Sequence, residues 1–352
     1  MEKKSNPIKT FITIVLSLAF AALFMWLALR GLDFEKIKIS LAKANYFWVL
    51  AAVIFGLLAY WFRAIRWNIL LEPLGYKISN SNSLWTISFG YLMNLTIPRS
   101  GEVARSTALY GVEGVPVDKS FGTIILERII DLACMMVFLG LTLVFKYDAI
   151  LSFYKFVTEE KKKDHKTEPN FFENFLLKIG IRDFDLFFLI LKIGVGILII
   201  AGIVYLFLFK KQKLINFIEG IFHGLTSIFK LKQNGKFILY TALIWICYYL
   251  AAYLVCFSLP ETSDFSFADG FFIIVVGTLG MMVPASGGIG AFHFALKLGI
   301  SALFLSMGKN AAEGAEVGLS YAFISHTMQI VIMLVMGLIS IPMLAKARKK
   351  KK

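Results

Sequence analysis

The chain has 352 residues, 58% of them hydrophobic and only 17% charged, with 34 Phe and a formal net charge of +14. Mean hydropathy is +0.73, whereas a water-soluble domain sits nearer half apolar and a quarter charged. This much apolar surface excludes a soluble globular protein and makes the chain integral to a membrane.

The basic residues do not form one basic domain. They cluster between apolar runs, as in KKQK at 210–213 and KARKKKK at 346–352. That is the pattern of membrane-flanking charge and argues against nucleic acid as a partner. Cys134, Cys247 and Cys256 lie in apolar runs without CxxC spacing, so they read as core residues, not as a disulfide frame or metal site.

In chain order, Lys3, Lys4 and Lys9 precede an apolar run over 10–29. It is long for a signal-peptide core and no cleavage site follows, so it reads as an uncleaved first span. Five more runs, 46–62, 120–145, 186–209, 237–259 and 316–343, are long enough to cross ~30 Å of hydrocarbon at about 1.5 Å per residue. Two shorter runs, 83–98 and 267–283, each end at a Pro-x-Ser-Gly. The first break reads IPRSGEVARSTAL from Ile97, the second MVPASGGIGAFHFAL from Met282. Each is followed by a second helix-like piece, as a re-entrant hairpin would be.

The expected fold is therefore an all-α polytopic membrane protein, one integral membrane domain over 1–352. It has about six full spans plus two re-entrant helical hairpins, eight apolar segments in all. On this assignment Lys and Arg concentrate on the side of the N-terminus, which places both termini in the cytoplasm. Three full spans separate the two hairpins, so they enter from opposite sides. That predicts an inverted repeat with halves at about 46–145 and 237–343. The segment 146–185 is expected as an extracytoplasmic loop, its polar run KFVTEEKKKDHKTEPN (155–170) mobile. The segment 210–236 has basic ends and an apolar middle. It reads as a cytoplasmic amphipathic segment suited to anionic lipid.

Breaks at membrane depth are tolerated only where they are buried in protein or line a wet cavity. In SGGIGAFH, Ser286, Gly287, Gly288 and Gly290 either let a phosphate approach a half-helix N-terminus or serve tight helix packing. In PRSGEVAR, Arg99 and Arg105 offer planar donors to a phosphate and Glu102 can hold either, unless all three are ordinary loop charge. Glu127, Arg128 and Asp131 fall inside the run 120–145, the two carboxylates four residues apart on one face with Arg128 adjacent. Unpaired charges there cost about 2.5–3.5 kcal/mol each, so they should pair and either line a polar path or clamp helices. His326 and Gln329 occupy the equivalent run of the second half, and His293 shares a face with Lys297 after the second break. Both histidines fit structural hydrogen bonding or a relay. Arg63, Arg66 and Trp67 in WFRAIRW read as interfacial anchors where a helix leaves the membrane, or as headgroup contacts. No GxxxxGK[ST] and no HExxH occurs, so no nucleotide, metal or other cofactor is expected.

Taken together, RxxRW at 63–67, PxSGE at 98–102 followed by Arg105, ERIID at 127–131 and PxSGGIG at 284–290 resemble the flippase-like family. Its members include the N-terminal membrane region of lysylphosphatidylglycerol synthetase/flippase, and the resemblance covers about residues 10–343. It implies a protein of the bacterial or archaeal inner membrane that moves lipid between leaflets. The chain resembles the flippase part without the soluble synthase domain, and so is not expected to be an enzyme. It departs from the family pattern at Ser286, where many members have a second proline, and at His293, where many have glutamate. The leading function is translocation of a phospholipid or lipid-linked precursor with an anionic headgroup. The alternatives are a secondary transporter of a small anionic solute and a membrane-embedded transferase.

Overall fold

The computed structural model describes residues 34–97, 99–164, 226–283 and 285–350, with scattered residues between 15 and 26 and between 215 and 223. All regular structure among the described residues is helical. The chain divides into two compact units, Met1–Tyr154 with Ile221–Lys352, and Lys155–Gly220. The expected span at 186–209 lies outside the described residues, as does 10–29 apart from scattered positions. Of the segment 210–236, the described part holds a 3-10 turn at Thr226–Lys230 and the start of a helix at Asn234.

A short helix α1 (Phe34–Lys43) precedes α2 (Tyr46–Leu71). Then come α3 (Asn80–Thr96), α4 (Gly101–Glu113), α5 (Val117–Phe145) and α6 (Tyr147–Asp164). The later helices are α7 (Asn234–Cys256), α8 (Phe267–Met281), α9 (Ala291–Ser306) and α10 (Ala311–Lys350). Polar caps set several starts. Asn45 accepts from the Phe47 N–H, Ser79 accepts from the Asn82 N–H, and Ser266 with Asp269 forms a capping box. Gly114, at φ 72°, ends α4 in the left-handed conformation that glycine reaches without strain.

Among the described residues, four helices are long and apolar enough to cross a membrane: Tyr46–Leu74, Val117–Phe145, Asn234–Cys256 and Ala311–Lys349. The first of these elements outruns its apolar pattern. The run was expected to stop at 62, but α2 continues through two arginines to Leu71. A second departure follows α5. Where a loop was expected from 146, α6 begins at Tyr147 and runs through the charged residues to Asp164. Lys and Glu favour helix as readily as they favour solvent.

Each Pro-x-Ser-Gly break joins two half-length helices that fold back on each other. In the first pair, Asn82 near the start of α3 donates to the Glu113 carboxylate at the end of α4, 2.6 Å away. The helices cross where Gly90 meets Gly101, and a Cβ on Gly101 would strike the Gly90 carbonyl and the Asn94 side chain. In the second pair, Phe265 just before α8 meets Phe304 near the end of α9, and Gly280 admits the α9 backbone. Small residues at such crossings are how helices approach closely where lipid supplies no hydrophobic drive.

Helices α2 and α7 pack extensively and run antiparallel. Asn45 N donates to Ser258 O at one end, Arg63 donates to Tyr248 in the middle, and Gln233 donates to Glu72 at the other end. Around this pair the contacts are exchanged: α10 packs on α3, and α5 packs on α8. Two cores result. Trp67, Leu71, Ile87, Leu109 and Ile124 fill the junction of α2 to α5. A larger cluster centred on Phe272, Leu296, Phe304 and Tyr321 fills that of α7 to α10.

Candidate functional site

The polar interior is built on α2, α4 and α5. Glu127 lies about ten residues, or ~15 Å, into α5, close to half of a ~30 Å hydrocarbon layer. It is fully buried, as is Arg66, while Arg63 and Arg105 are 3% and 4% exposed. Glu127 is ion-paired to Arg105, Nη1 to Oε2 at 2.8 Å, and more loosely to Arg66 at 3.5 Å. Arg66 also donates from Nη2 to Asp131 Oδ1 at 2.9 Å. The Arg105 guanidinium stacks on the Trp67 ring, 3.6 Å from its centroid. Trp67 in turn donates from Nε1 to Thr123 Oγ1 at 2.9 Å, so α2, α4 and α5 are tied through one arginine.

Two expectations are corrected here. Arg63, Arg66 and Trp67 do not stand exposed at a helix end; all three are buried, against Tyr248, Glu127 and Arg105 of neighbouring helices. Nor is Arg128 the buried partner of Glu127. Its side chain is 45% exposed and reaches Glu102 and Asp131, each at 3.7 Å. An adjacent residue on a helix points about 100° away, so the buried carboxylate takes its partners from other helices.

Next to this network lies a cavity of about 580 Å3 walled by helices of both cores. Arg63, Arg99, Arg128, Asp131, Gln329 and Tyr60 are among its polar lining residues. Leu132, Met135, Ile273, Ile274, Phe292 and Leu296 are among the apolar ones. Arg99, Arg128, Leu132 and Met282 are exposed and mark a rim between α5 and the two breaks. Glu102 and Arg105 line a small recess beside it with Gly90 and Asn94.

The two breaks meet. Arg99 adopts φ 61°, rare for a residue with a side chain, and donates from Nη2 to the Met282 carbonyl at 2.6 Å. A Cβ on Gly287 would come within 2.8 Å of Leu95. Gly287, Gly288 and Gly290 all have positive φ, and Gly288 lies under Met281. None of these glycines is among the lining residues of the cavity, and Ser286 forms part of the same 3-10 turn. The first half-helix N-terminus is capped from within, since the Gly101 N–H donates to Asn94 Oδ1 at 2.7 Å.

His326 Nε2 lies 2.9 Å from the Gly287 carbonyl and its Nδ1 lies 3.5 Å from His293 Nδ1. A carbonyl only accepts, so Nε2 of His326 carries the proton and its Nδ1 is left as an acceptor facing His293. Both histidines are buried. They fasten the second break to α9 and α10, while Gln329 on α10 reaches the cavity.

The sequence reading passed over the aromatic wall around Arg63. Tyr60 and Tyr91 meet at a tilt with ring centroids 4.8 Å apart, Arg63 sits 5.6 Å from the Tyr91 centroid and donates to Tyr248 at 3.0 Å, and Trp245 meets Tyr248 edge-on. Tyr and Trp in apolar helices read as belt residues by default. Only the antiparallel packing of α2 on α7 reveals that these face inward.

Broken half-helices, a buried arginine–carboxylate network and an interior cavity define a polytopic membrane protein with an internal polar site. The model of the Lysylphosphatidylglycerol synthase TM region family matches residues 14–337, and the chain belongs to that family. The chain is also 30% identical over 129 residues to the UPF0104 membrane protein MJ1595 of Methanocaldococcus jannaschii, a match covering 36% of this chain and 38% of that relative. No solved structure matches.

Proposed function

We propose that this protein moves a lipid with an anionic headgroup between the leaflets of the inner membrane. The observation that carries this reading is the cavity beside the arginine network. Arg63, Arg99 and Arg128 give one part of its lining positive charge, and much of the rest is apolar. Its exposed rim lies between α5 and the breaks, a route by which a headgroup enters while its tails stay in lipid. A transporter of a small anionic solute is expected to carry a more polar wall, which makes it the weaker reading.

The topology proposed with this function is an inverted repeat of 46–145 and 237–343. Antiparallel α2 and α7, and the exchanged packing of α3 with α10 and α8 with α5, support it. Helices α3 and α8, at about 1.5 Å per residue, are only ~26 and ~22 Å long, which supports re-entrant hairpins whose tips meet in mid-membrane. Lys77, Lys119, Lys232 and the basic end of α10 then share one side, which favours cytoplasmic termini. Cysteine labelling tests this: Lys309→Cys should react from outside and Lys232→Cys only from the cytoplasm. Labelling of both from one side contradicts it.

The function itself is tested in vesicles holding the full-length protein and headgroup-labelled phosphatidylglycerol. A membrane-impermeant quencher should reach the inner-leaflet label faster than in protein-free vesicles. An inner pool as persistent as in protein-free vesicles, with uptake of labelled phosphate into the lumen, would favour the solute transporter instead.

A further inference from the structure

We infer that Tyr60, Arg63 and Trp245 form a phosphodiester-binding subsite in the wall of the cavity, built to take an anionic phosphate and not the ammonium of an aminoacylated headgroup. The inference rests on the lipid-translocation reading for its setting, but it is carried by a separate observation. The Tyr60 hydroxyl, Nε and Nη2 of Arg63, and Nε1 of Trp245 are buried polar atoms without a hydrogen-bond partner. All three residues line the cavity and are at least nine-tenths buried. Groups of this kind are costly to leave unsatisfied in a dry interior.

Their positions are linked. Tyr91 contacts both Tyr60 and Arg63, and Tyr248 contacts both Arg63 and Trp245. Arg63 spends only Nη1 on the protein, donating it to the Tyr248 hydroxyl, and so keeps the edge formed by Nε and Nη2 for a planar, two-point contact. An indole N–H and a guanidinium only donate, and a tyrosine O–H can donate as well. The missing partner is therefore an acceptor, and beside an arginine an anionic oxygen fits best.

Charge points the same way. Among the charged lining residues, Arg63, Arg99 and Arg128 outnumber Asp131, whose carboxylate is already held by Arg66 and Arg128. An ammonium entering this cavity meets no free carboxylate among its lining residues, whereas a phosphodiester meets four donor atoms.

The test measures binding by the purified full-length protein in detergent, using dioleoylphosphatidylglycerol, its lysylated form and inorganic phosphate as separate probes. Tyr60→Phe deletes one donor and keeps the ring, whereas Trp245→Phe deletes the indole N–H and leaves a smaller aromatic ring. Each should weaken phosphatidylglycerol binding roughly tenfold, the loss of one hydrogen bond to a charged group. The melting temperature should be unchanged in Tyr60→Phe and lowered, from the volume lost in the core, in Trp245→Phe. Tighter binding of the lysylated lipid, or undiminished phosphatidylglycerol binding in both variants, would overturn the subsite. Saturable phosphate binding weakened by the same substitutions would support it with a free anion as the source. If both variants bind as wild type yet vesicle transport proceeds, the subsite fails and translocation stands. Donor-dependent binding without transport gives the reverse.

Discussion

The first and second hairpins share one backbone device and differ in almost everything attached to it. In the α3/α4 pair the turn is held by Asn94 and Ser100, and the helix leaving it carries Glu102 and Arg105 into the ion network. In the α8/α9 pair three glycines at positive φ make the turn, and a histidine pair fastens it. The first half supplies the charge, and the second half supplies much of the apolar cavity wall. Similar architecture thus serves an asymmetric task, which is what a ligand with a charged head and apolar tails requires.

Breaking the ion network should have the largest effect on the folded state. Arg66→Met leaves Asp131 only its longer pair with Arg128 and takes one of two partners from the fully buried Glu127. It should cost about 3–5 kcal/mol, the range for removing one partner of a buried pair. Thermal unfolding in detergent measures this. A melting temperature within error of wild type would mean that the network is not buried as described.

Packing at the first crossing comes next. Gly101→Ala places a methyl against the Gly90 carbonyl and should cost about 1–3 kcal/mol as an overpacked contact. Gly111 in the same helix has open space around it, so Gly111→Ala should be neutral or gain up to about 1 kcal/mol from helix propensity. Equal effects in the two variants would remove the crossing as the reason for glycine at 101.

The second break should be the more tolerant of the two. His326→Phe keeps an aromatic ring but leaves the Gly287 carbonyl without its donor, at a cost of about 1–3 kcal/mol. A loss matching that of Arg66→Met would show that the histidine fastening is as critical as the ion network. Smallest in stability is Arg128→Met. Its half-exposed side chain makes only long ion pairs, so melting should change by less than about 1 kcal/mol. Transport of an anionic lipid should nevertheless fall, because Arg128 stands at the rim.

Much of this architecture was legible in the chain. Apolar runs gave the four described long helices to within a few residues, except at the end of α2 and at both ends of α10, which begins at Ala311 and reaches Lys350. The paired Pro-x-Ser-Gly motifs gave both breaks, and ERIID marked the buried charge. What could not be read was partnership. Glu127 finds Arg105 and Arg66, which lie 22 and 61 positions away in the sequence, through tertiary packing that no local spacing encodes. Arg63 and Trp67 looked interfacial because two arginines beside two tryptophans match a membrane boundary. The helix simply carries on, and its neighbours compensate the charge. The tyrosine and tryptophan wall was hidden for the same reason, since inward and lipid-facing aromatics look alike in a uniformly apolar helix.

The most direct measurement fills the cavity without touching the charges. Ala251 on α7 lines it and is only partly buried, so Ala251→Trp should occupy the space while leaving the ion network and the melting temperature as they are. In vesicles, movement of headgroup-labelled phosphatidylglycerol should fall to the rate of protein-free membranes. Wild-type movement through a stable protein with the cavity filled would contradict a path through that cavity.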